Sequence, residues 1–181
     1  MRPLAIFLLA LLAIPAVAQK EKREPLTETQ IEAIREAGVD PNLRVALYTK
    51  YANEHADTIK SLINRGKSRD RVKRVDDELQ DFTALMDELG SNLDQYGDRK
   101  ADLREALKLL NEDCPKWVTI LKSLPGEPAF DVARKEAIES GEDLADQANR
   151  LLSEQNTYFL THKDEKNQQR AEPKDPQPPQ Q

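Results

Sequence analysis

Residues 72–124 read VKRVDDELQDFTALMDELGSNLDQYGDRKADLREALKLLNEDCPKWVTILKSL. Counted alternately by three and four from Val72, the register passes through Val75, Leu79, Phe82, Met86, Leu89, Leu93, Tyr96, Lys100, Leu103, Leu107, Leu110, Cys114, Trp117, Leu121 and Leu124. Residues so spaced share one face of a helix, and an apolar seam of this length specifies helix packed on helix. Lys100 alone interrupts it. The pattern continues through Gly90 and Gly97, which predicts one long helix from 68 to about 112, with 90–97 as the place where it could divide. The two glycines flank the seam, where a neighbouring helix could come close. Pro115, which has no N–H to donate, predicts a kink or a restart before a short helix ending at Leu124.

Outward from the seam, punctuation defines the other elements. Leu26 to Ala37 is a short helix with Thr27 as its cap and Gly38 as its stop. Asp40-Pro41 opens the next, a capping residue followed by proline at the first helical position. Its apolar face, Leu43, Leu47, Tyr51, Ile59, Leu62 and Ile63, runs until Gly66. Ser68 restarts the chain so soon that the two helices must run antiparallel. Pro125-Gly126-Glu127-Pro128 is a turn, and a last helix spans about 129 to 162. No alternating β-branched run suggests a strand. The fold expected is all-α: an antiparallel bundle of three to four long helices over 26–163, with a short N-terminal helix.

The ends differ in composition. Residues 1–18, MRPLAIFLLALLAIPAVA, join one arginine, a short apolar run and a small-residue triplet. That is the pattern of a signal peptide cleaved after Ala18, and the apolar run is short for a membrane span. Residues 19–25 read as a flexible lead. Residues 164–181 read as a disordered tail, because NQQRAEPKDPQPPQQ (167–181) has no large apolar residue to offset its ordering entropy. The expected location is periplasmic or secreted. No N-x-S/T triplet occurs, which leans towards a bacterial protein.

With 33 acidic and 27 basic residues the net charge is −6, which argues against nucleic acid as a partner. Charge is unevenly placed. RGKSRDRVKR (65–74) holds six bases, Arg65, Lys67, Arg69, Arg71, Lys73 and Arg74, and one acid; Val75 to Asp98 holds eight acids and no base. Basic residues at a helix start oppose its dipole. The cluster is therefore a candidate docking site for a protein or an anionic envelope component, with neutralisation by acids elsewhere in the fold as the structural alternative.

Catalytic chemistry is hard to find. His55 and His162 are the two histidines, and no Glu-x-x-His, His-Glu-x-x-His, phosphate-cradling loop or Gly-x-Ser-x-Gly occurs. Cys114 is the single cysteine, so an internal disulfide is excluded. Its seam position predicts a buried small hydrophobe, although a thiol on a first helical turn could be reactive. The function expected is that of an exported, non-enzymatic interaction module with no cofactor and no membrane-spanning segment after cleavage. The alternative is a ligand- or metal-binding bundle, for which Lys100, His55 and Gln155 are the polar residues placed to serve.

Overall fold

The computed structural model describes residues 24–66 and 68–166. Residues 1–23, which include the stretch read from sequence as a signal peptide, Lys67, and the Pro/Gln-rich stretch 167–181 lie outside the described residues. Five α-helices follow one another, α1 (Glu28–Glu36), α2 (Pro41–Ile63), α3 (Arg69–Asp98), α4 (Arg104–Lys122) and α5 (Asp131–Thr161), with no strand among the described residues. The fold is all-α.

Local chemistry places the ends. The Thr27 hydroxyl accepts from the Gln30 N–H while the Gln30 side chain accepts from the Thr27 N–H, a capping box. Asp40 caps α2 through the Leu43 N–H, and Ser68 caps α3 through the Arg71 N–H. At the other end, residues 163–165 form one 3-10 turn, and the Tyr158 hydroxyl donates to Glu165 at 2.8 Å. Order therefore extends past 163, where the sequence suggests the tail begins.

The seam is the core. Every member from Val75 to Leu124 is buried except Lys100. It is not one helix, however. The expected rod from 68 to 112 ends at Asp98 and the chain folds back through 99–103. The break lies beyond 90–97, at the polar member of the seam. Lys100 adopts φ 57°, its N–H bonds the Gly97 carbonyl at 3.0 Å, and the Ala101 N–H bonds the Tyr96 carbonyl at 3.0 Å. These are the two hydrogen bonds of a Schellman cap, with lysine where glycine is the usual residue. Side chains from distant helices hold the turn. The Gln155 amide accepts from the Leu103 N–H (2.8 Å) and donates to the Ala101 carbonyl (2.7 Å). Asn42 donates to the Asp102 carbonyl (2.7 Å) and accepts from the Ala106 N–H (3.3 Å). Leu103 has no capping side chain of its own, so α4 begins where α2 and α5 supply its caps.

At Pro115 the helix does not restart. α4 runs through it, with Cys114 and Trp117 buried on one side and the proline exposed.

The four long helices form a ring in which α2 packs on α3 and α4, and α5 packs on α3 and α4. α3 and α4, although consecutive, are not neighbours; the 99–103 turn crosses the ring's diagonal. Consecutive helices run antiparallel, as His55–Glu78 with Tyr48–Glu88, and Lys122–Glu142 with Leu103–Gln155, demonstrate. The pairs closing the ring run parallel: Asn42–Ala106 with Asn53–Trp117 joins α2 to α4, and Ser140–Asp87 with Gln147–Asp94 joins α5 to α3. Gly90 and Gly97 permit the second pair. A Cβ there would lie 3.1 Å from the Gln147 Oε1 and from the Leu151 Cδ1, respectively.

Candidate functional site

Two loops meet at the end of the ring where α2 and α4 finish, and the basic cluster lies there. Its members have different surroundings. Arg71 is 5% exposed and its guanidinium donates to Glu127 of the α4–α5 turn at 2.8 Å. It ties the first turn of α3 to the α4–α5 turn and is unavailable for docking. That corrects the grouping of Arg71 with its neighbours. Lys73 pairs along the helix with Asp77 at 2.7 Å. Arg65, Arg69 and Arg74 are exposed and make no ion pair among the described residues. The acids of α5 do not neutralise them.

Cys114 is fully buried and free. Burial pushes its thiol up to about 12, and the carboxylate of Asp113 adds to the shift. Both effects disfavour the thiolate, the nucleophilic form. A polar chain runs beside it. The Trp117 indole donates to Asn53 (2.7 Å), Asn53 donates to Asp113 (3.0 Å), and Lys116 donates to Asp113 (2.7 Å). Phe82 meets Trp117 edge-on at 5.9 Å. The chain ties α2 to α4; nothing in the spacing of Asn53 signals it, since its partners lie about sixty residues away.

His55 sits between two acceptors. Its Nδ1 is 2.9 Å from the Glu78 carboxylate and its Nε2 is 3.1 Å from the Pro25 carbonyl. Burial pulls its pKa down, but the bond and charge of Glu78, the Pro25 carbonyl and Asp81 outweigh burial and leave it raised. Two acceptors require two N–H donors, so the imidazolium is the form that satisfies the site. Pro25, in the lead that the sequence suggests is flexible, is held by this bond, and Leu26 is buried.

The opposite end of the ring holds a cleft between α3 and α5 with a cavity of about 170 Å³. Leu93, Leu151, Tyr158 and Phe159 provide apolar wall, and Asp94, Asp98, Lys100, Arg150 and Glu154 provide charge. Both Lys100 and Gln155, named from sequence as polar candidates, line it; His55 does not. No group of three or more His, Cys, Asp or Glu side chains among the described residues could hold a metal ion, and no described helix is long and apolar enough to cross a membrane. The chain matches no known family model, and no curated protein or solved structure is significantly similar to it.

Proposed function

We propose that the chain is exported, matures before Gln19, and acts in the periplasm or outside the cell as a non-catalytic binding module for an anionic envelope component. The observation that carries this reading is the set of exposed arginines at one end, Arg65, Arg69 and Arg74, without ion pairs among the described residues. Arg69 opens α3, where the helix dipole disfavours positive charge, while Arg65 follows the α2 C-cap and Arg74 lies one turn into α3. On a chain of net charge −6, such an end orients the molecule towards a negative surface. The suppressed thiol and the fully engaged His55 support a non-catalytic role.

Two measurements test it. Mass analysis of the protein recovered outside the cytoplasm should give an N-terminus at Gln19; a product retaining residues 1–18 contradicts export by cleavage. Cosedimentation should then show binding to vesicles rich in anionic phospholipid, weak binding to neutral ones, and loss at high salt. Arg65→Gln, Arg69→Gln and Arg74→Gln together should abolish it with the melting temperature almost unchanged. Binding that ignores salt and these arginines would refute the docking surface.

A further inference from the structure

The cleft between α3 and α5 has two unusual features. The first concerns its charges. Lys100 and Arg150 share one concavity with Asp98 and Glu154, yet none of the four makes an ion pair among the described residues. The fold holds opposite charges on one rim without letting them meet. The second feature is strain. Lys100 occupies the left-handed position of the α3 cap, where glycine fits without penalty and any other side chain is disfavoured. A lysine kept at a glycine position has its ammonium near the cleft, 5.9 Å from the centre of the Tyr158 ring. His162 stacks on that ring at 4.0 Å and the Tyr158 hydroxyl donates to Glu165, so the ring is fixed in orientation.

We propose that this cleft binds a small zwitterion of the α-amino-acid class, its carboxylate taken by Lys100 and Arg150 and its ammonium by Asp98 and Glu154. A cavity of about 170 Å³ holds roughly six water-sized groups, which suits an amino acid and is smaller than the sites that enclose drug-sized ligands. The apolar wall of Leu93, Leu151 and Phe159 accommodates an aliphatic side chain. Asp94 is engaged by Gln147 at 2.7 Å and belongs to the helix contact. This surface lies at the other end of the ring from the exposed arginines, so the proposal stands or falls independently of the docking surface.

Titration calorimetry and amide chemical-shift mapping on the full chain test it, with L-alanine, L-leucine, L-glutamate and L-lysine as probes and acetate and methylamine as half-ligands. At least one amino acid should bind with Kd on the order of 1 mM or tighter, shifting amides of Gly97, Lys100, Leu151 and Tyr158. Each half-ligand should bind at least tenfold more weakly. Lys100→Gly gives two readouts of opposite sign: the melting temperature should rise by roughly 2–4 °C as strain is relieved, while affinity falls at least tenfold. Absence of binding by all four amino acids, methylamine binding as tightly as they do, or an affinity unaffected by Lys100→Gly would each overturn the proposal.

Discussion

Arg71 and Arg74 lie three residues apart with the same charge, but in different media. Arg71 is enclosed and holds Glu127, itself 17% exposed; Arg74 faces water. Arg71→Gln should therefore destabilise the fold by about 1.5–3 kcal/mol, the range for losing a hydrogen bond to a charged partner in a partly buried pair. Arg74→Gln should change stability by no more than ~0.5 kcal/mol. Urea unfolding of both variants checks this, and equal small effects would contradict the locking role of Arg71. Cys114 is buried too, but within the apolar core. Its thiol should react with a maleimide slowly in the native protein and quickly once unfolded. Cys114→Ser should destabilise by ~1–2 kcal/mol, since a hydroxyl replaces sulfur among apolar side chains. Rapid labelling of the folded chain would contradict the burial. The Arg71 partition could have been read from the sequence, because position 71 lies one turn before Val75 and so on the seam face. The Asn53 and Gln155 contacts could not, because their partners are set only by the assembled ring.

At the scale of elements, α1 is a strap that packs on α2 alone among the helices, and His55 ties the residues before it to α3. The groups acting on this imidazole are Glu78 and Asp81 from α3 and the Pro25 carbonyl from the N-terminal segment, while Glu54 beside it in α2 accepts from Gln30 of α1. The folded pKa is raised. The stabilisation from His55 is therefore complete below its unfolded value, about 6.5, and is lost as pH rises through the higher folded value. Hydrogen exchange of the α1 amides, corrected for intrinsic rates, should show stronger protection at pH 6 than at pH 9. His55→Gln should erase the difference. Protection that is the same at both pH values in the wild-type chain would contradict the clamp. The caps at Thr27, Asp40 and Ser68 were plain in the sequence because each bonds within its own first turn. The start of α4 was not, because locally only Asp102 accepts from the Arg104 N–H, at 3.4 Å, and the other caps come from Asn42 and Gln155 on other helices.

For the whole molecule, the apolar seam established helical packing but not its path. A seam that folds back keeps its three-four register on both sides of the turn, so periodicity cannot distinguish a rod from a hairpin. Only Lys100 marked the place. Gly90 and Gly97, where a division seemed available, instead bring α5 close. The turn at 99–103 sets α3 and α4 across the diagonal, brings Arg71 to Glu127, and shapes the cleft. The proposed cleft depends on it. The most direct test is a spin-label distance between Arg74→Cys and Lys116→Cys in a Cys114→Ala background. A continuous helix would separate those sites by about 63 Å, at 1.5 Å per residue. The folded-back arrangement predicts about 20–40 Å: interaxial spacings of 8–10 Å make a diagonal of roughly 11–14 Å, to which the outward-facing labels and their offset along the axes add. A distribution centred in that shorter range supports the diagonal crossing, and one centred near 60 Å contradicts it.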